Sequence, residues 1–80
     1  MSSEYTKTML RTLKQYQNSQ ITLTFNNKFQ IPQVSVCCFN NVYKLFHLES
    51  QLTETYEDIY TAMDAIERTI NNSHFKPLVH

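Results

Sequence analysis

Eighty residues, 41% of them hydrophobic and ten of them Phe or Tyr, are too apolar for intrinsic disorder and too few for more than one domain. Seven basic side chains balance seven acidic ones, which argues against a dedicated nucleic-acid binder and against an acidic nucleic-acid mimic. No stretch approaches the roughly 18 apolar residues that span a bilayer, and the start Met1-Ser2-Ser3-Glu4 lacks the basic and apolar regions of a secretion signal, so the expected setting is cytoplasmic.

The charges are unevenly placed. Lys7, Arg11, Lys14, Lys28 and Lys44 face Glu4 alone in residues 1–48, while Glu49, Glu54, Glu57, Asp58, Asp64 and Glu67 outnumber Arg68 and Lys76 in residues 49–80. Opposed halves can attract within one fold or across a dimer. Cys37 and Cys38 are adjacent, and bridging neighbours demands a strained ring, so both read as reduced thiols. Without disulfides a chain this short is expected to complete its core with a second copy of itself or with another protein.

The first element in chain order is a helix over 4–16. At 100° per residue Tyr5, Met9, Leu13 and Tyr16 form a stripe with Leu10 on its flank, and Lys7, Arg11 and Lys14 gather on the opposite face. Ser2 or Ser3 supplies the N-cap, Glu4 suits the positive end of the dipole, and Asn18-Ser19 ends the helix. Residues 20–25 then alternate strictly, with Ile21, Leu23 and Phe25 on one side of a strand and Thr22 and Thr24 on the other. The chain contains no glycine, so asparagine is expected wherever a turn needs positive φ. Asn26-Asn27 and Asn40-Asn41 are the candidate hairpin turns.

Residues 28–31 fit either a short strand or an irregular loop. Gln33 to Phe39 reads as a strand with Val34, Val36 and Cys38 on one face. Its partner is Val42 to Glu49, where Val42, Phe46 and Leu48 share a side with Lys44 while Tyr43 and Leu45 take the other. Apolar residues on both sides suggest that its second face is also partly covered, by the C-terminal tail or by another subunit. Residues 50–55 fit a fourth short strand or a loop. A second helix follows, on which Tyr56, Ile59, Tyr60, Met63, Ile66 and Ile70 recur at spacings of three and four, with Thr55 and Asp58 as a capping box and Asn71-Asn72-Ser73 as the stop.

The chemistry-bearing residues are sparse. Cys37, Cys38, His47, His74 and His80 lack the spacing of a zinc site, and adjacent strand residues point to opposite faces, so one thiol belongs in the core and one on the surface. Counting outward from Asn40-Asn41 places His47 opposite Val34, four positions from Cys38, which is roughly 13 Å and beyond hydrogen-bond reach. Glu54, Glu57 and Asp58 crowd a helix start, where the dipole accounts for them. The expectation is therefore no catalytic residue, no metal and no cofactor.

The element order resembles that of double-stranded RNA-binding domains, but their second helix begins with lysines that dock on phosphates, and this chain has Thr53-Glu54-Thr55-Tyr56-Glu57-Asp58 there. Lys7, Arg11 and Lys14 would support only weak, salt-sensitive binding. The tail His74-Phe75-Lys76-Pro77-Leu78-Val79-His80 is apolar where free tails are polar. It either folds back on the domain or docks on another chain by strand addition or groove filling.

The residues thus predict an α+β fold: a three- or four-stranded antiparallel sheet with an N-terminal and a C-terminal helix on one face, spanning 1–73, with 74–80 as an extended or docked tail. The expected core is Leu10, Leu13, Ile21, Leu23, Phe25, Val34, Val36, Ile59, Met63 and Ile66. The expected function is that of a small non-enzymatic accessory or regulatory protein of bacterial or phage type, acting on a protein partner or on itself through Phe75, Leu78, Val79, Tyr43 and Leu45. The alternative is a weak nucleic-acid binder using Lys7, Arg11 and Lys14.

Overall fold

The computed structural model describes residues 3–71. Helix Ser3–Gln15 (α1) leads through a 3-10 turn, Gln17–Ser19, into four strands: Thr22–Asn26 (β1), Pro32–Phe39 (β2), Val42–His47 (β3) and Leu52–Tyr56 (β4). Helix Ile59–Asn71 (α2) follows. The strands form one antiparallel sheet in chain order, and both helices cover the same face of it. The fold is α+β; of the two ambiguous segments, 50–55 supplies a fourth strand from Leu52 and 28–31 forms a loop.

The β2–β3 register is set by its turn. Asn40 and Asn41 both take positive φ, 52° and 64°, which is the two-residue type I′ geometry that matches the twist of paired strands. Phe39 then opposes Val42, Cys38 opposes Tyr43, and Val34 opposes His47. At the other connections glutamine, not asparagine, takes the left-handed conformation: Gln20, Gln30 and Gln51 lie at φ 56°, 64° and 61°. Asn27 acts differently from the turn residue expected at 26–27. It is buried, and its Oδ1 accepts the Phe29 N–H at 2.8 Å and the Ile31 N–H at 3.1 Å, holding the β1–β2 loop closed.

Side chains that the register turns inward make the core. Phe25, Val34, Val36, Cys38, Tyr43 and Leu45 come from the sheet, Leu10 and Leu13 from α1, and Ala62, Ala65 and Ile66 from α2. Leu23, Ile59 and Met63 pack against this cluster while only partly buried. Ile21 does not join it; it precedes β1 and is 38% exposed. Tyr43 and Leu45, expected at a partner surface, are 0% exposed and belong to the core. The inward-facing rows of β2 and β3 carry them there together with Val36 and Cys38.

Helix α1 is rolled relative to the expected stripe. Thr6, Leu10 and Leu13 are buried, whereas Tyr5 and Tyr16 are half exposed. Tertiary contacts set this roll. The Tyr43 hydroxyl donates to the Leu10 carbonyl at 2.9 Å, drawing that turn of the helix onto the sheet. Gln17 fastens the helix end: its Nε2 donates to the Lys14 carbonyl at 3.1 Å and to Asn41 Oδ1 at 2.9 Å, while its Oε1 accepts the Asn41 N–H at 2.8 Å. One amide thereby caps a helix and grips the hairpin turn.

Helix α2 starts later than its apolar period implies. Tyr56 pairs with Tyr43 as the last residue of β4. The N-cap is Asp58 rather than Thr55, with its Oδ2 accepting both the Thr61 N–H at 2.9 Å and the Thr61 hydroxyl at 3.0 Å. Ala62 and Ala65 then allow close approach to the sheet, and the exposed Asp64–Arg68 pair at 3.0 Å adds little stability.

Burial pushes the Tyr43 hydroxyl pKa from 10.0 up to about 12. Below pH 10 the proton is held in folded and unfolded chains alike; above it the unfolded chain ionises first, so stability falls as pH rises from about 10 to about 12. The expected loss from this group is about 2–3 kcal/mol. Urea unfolding of the wild type and of Tyr43→Phe tests this: the variant costs about 1 kcal/mol at neutral pH and has a flatter alkaline profile. Parallel pH profiles would show that the hydroxyl is not buried in this bond.

Candidate functional site

With the helices on one face, no described element covers the other face of the sheet. Its cross-strand rows are Thr22, Cys37, Lys44 and Thr55, then Thr24, Ser35, Phe46 and Thr53, with Phe39 and Val42 paired beside the turn. Phe39 is 56% and Phe46 39% exposed, and Thr24 and Ser35 hydroxyls lie 3.4 Å apart. The rows contain no carboxylate, and the Lys44 ammonium lies 5.6 Å from the centroid of the Phe39 ring. The result is a near-neutral surface of hydroxyls and aromatic rings. The apolar residues on both sides of β3 hinted at it; the sides were assigned to the wrong roles, because Val42, Lys44 and Phe46 face outward and Tyr43 and Leu45 inward.

The thiols separate across the sheet. Cys38 is buried in the core, and desolvation raises its pKa against a smaller lowering by Lys14. Cys37 is half-buried on the open face, opposite Thr22 and Lys44. Among the described residues no group of three or more His, Cys, Asp or Glu side chains could hold a metal ion.

His47 sits opposite Val34, as counted from the turn, and its partner is a carboxylate rather than a thiol. Its Nε2 lies 2.6 Å from Glu54 Oε1, a diagonal contact between β3 and β4. The Tyr56 pKa is raised, by desolvation first and then by the neighbouring Glu54 carboxylate. A shallow cleft of about 400 Å³ beside His47 is lined by Gln33, Glu49, Ser50 and Thr69. The Thr69 hydroxyl donates to the Ala65 carbonyl at 2.8 Å, which leaves it tied to its own helix. The arrangement clips β3 to β4 and orients the imidazole. Sequence spacing could not reveal it, because β4 itself was undecided between strand and loop.

The three cations of α1 do not act as one stripe. Lys7 is half-buried, with its Nζ 5.0 Å from the centroid of the Tyr60 ring on α2. Arg11 and Lys14 instead line a cleft with Gln15, Gln17, Asn41 and Ile59. Phe75, Leu78 and Val79 lie outside the described residues, as do His74 and His80. No described helix is long and apolar enough to cross a membrane. No family model matches the chain, and no curated protein or solved structure matches it.

Alkylation at neutral pH followed by peptide mass analysis should find Cys37 modified in the folded protein and Cys38 only after unfolding. Equal rates for the two thiols in the folded state would contradict their placement on opposite faces.

Proposed function

We propose that this protein is a small non-enzymatic interaction module, of accessory or regulatory type, that self-associates through the open face of its sheet. One observation carries the reading: no described element covers one face of the sheet, which presents Phe39 and Phe46 to solvent. Pairing two such faces buries the rings and converts two two-layer domains into a four-layer α/β/β/α stack.

A second copy fits this face better than a charged partner does. Lys44 is the one charge in the cross-strand rows, so two copies meet without carboxylate repulsion, and each Lys44 already lies against an aromatic ring. Four strands of five to eight residues span about 19 Å by 17–27 Å, so two faces bury roughly 650–1,000 Å² in total. That is at the low end of specific interfaces and implies a concentration-dependent dimer. The nucleic-acid reading is weaker. With Lys7 against Tyr60, Arg11 and Lys14 remain, and two phosphate contacts support only slight binding.

Light scattering or sedimentation from about 10 μM to about 1 mM should show the mass rising towards twice that of one chain. Phe46→Glu should return it to one chain while circular dichroism stays unchanged, since the side chain makes no core contact. A single-chain mass throughout that range would overturn the proposal. So would a dimer that Phe46→Glu and Phe39→Ser both leave intact.

A further inference from the structure

The described residues hold six lysines and arginines, and four of them are engaged. Lys7, Lys28 and Lys44 lie over aromatic rings, and Arg68 pairs with Asp64. Arg11 and Lys14 have neither an ion pair nor a ring contact among the described residues, and both line one cleft of about 530 Å³. That volume lies within the range of small-molecule sites.

The cleft combines an apolar side with polar groups, and one polar pair in it is held in place. The Gln17 amide is locked between the Lys14 carbonyl and Asn41, which holds Asn41 with its Oδ1 occupied and its Nδ2 without a bond among the described residues. Gln15 stands beside it with no partner among those residues. Ile59 supplies an apolar side, and the buried Tyr43 lies beneath. Glu57 and Asp58 precede Ile59 in the chain, but neither is within 4.0 Å of a described cation, and Asp58 is engaged by Thr61. A guanidinium fork, an ammonium and a fixed amide donor around a concave space are the donors that a phosphoryl group requires.

We infer that the cleft formed by Arg11, Lys14 and Asn41 binds a small phosphate-bearing ligand. Arg11 grips two oxygens, Lys14 neutralises the remaining charge, and Asn41 Nδ2 fixes orientation. The site lies on the helix layer, away from the open sheet face, and does not depend on self-association. Two cations in one pocket do not form the track that a nucleic-acid strand follows, so a single phosphate group is the unit recognised.

Amide NMR titrations at constant ionic strength, with inorganic phosphate, a nucleoside monophosphate and a short single-stranded oligonucleotide, test this. The amides of Gln15, Asn41 and Ile59 should shift saturably with the first two probes. Arg11→Gln with Lys14→Gln should abolish the shifts, while Arg11→Lys with Lys14→Arg retains binding within about tenfold. The melting temperature of both ligand-free variants separates lost binding from lost helix stability, because Lys14 also lies near the negative end of the α1 dipole. Absence of saturation up to about 20 mM phosphate, or shifts that survive the glutamine substitutions, would overturn the site. Oligonucleotide binding about tenfold or more tighter than the monophosphate would overturn the small-ligand assignment.

Discussion

Everything in this molecule depends on the register between β2 and β3. The Asn40–Asn41 turn, with both residues left-handed, allows one pairing. In that pairing Val34, Val36, Cys38, Tyr43 and Leu45 point the same way, and the helices close over them. A slip of one residue on β3 would bring Val42, Lys44 and Phe46 inward and carry Tyr43 out to solvent. The core would then hold an ammonium group where Leu45 now packs. The identity of the open face is therefore decided by two asparagines, in a chain that has no glycine for the task.

The helix layer reads that register through polar contacts as well as apolar ones. Tyr43 reaches the middle of α1, and Gln17 reaches from its end to the hairpin turn. Both fix the roll of α1, and the roll decides which side chains face solvent. Thr6 and Leu10 go under, Lys7 turns to Tyr60, and Arg11 and Lys14 remain over a cleft. Local structure, packing and the placement of charge are thus one problem here. Altering the Asn41 side chain would disturb the turn, the helix cap and the cleft together.

Much of this was legible in the residues. The Asn40–Asn41 pair led to the correct β2–β3 register, including His47 opposite Val34, and strand alternation to the separation of the two thiols. The errors share a physical cause: periodicity reports amphipathicity but not which tertiary contact decides between two adjacent faces. Tyr5 and Tyr16 satisfy a helical stripe, yet α1 rolls towards Tyr43 and exposes them. Tyr56 matches the period of α2 but pairs with Tyr43 in β4, and Asp58 caps the helix instead of Thr55. On β3 both faces are apolar, so composition could not say which one the helices cover. The His47–Glu54 contact and the Arg11–Lys14 cleft each join elements distant in sequence, and no local motif announces them.

A sheet covered on one side connects this architecture to its proposed role, since the core lies towards the helices while the rings of Phe39 and Phe46 stay 56% and 39% exposed on the other side. Proton–proton contacts measured by NMR in dilute solution test that asymmetry most directly. The account predicts contacts from the Tyr43 ring to Leu10 and from Leu45 to α2, and none from the Phe46 ring to either helix. Helix contacts from Phe46, with Tyr43 facing solvent, would mean that the register is reversed and that the open surface described above does not exist.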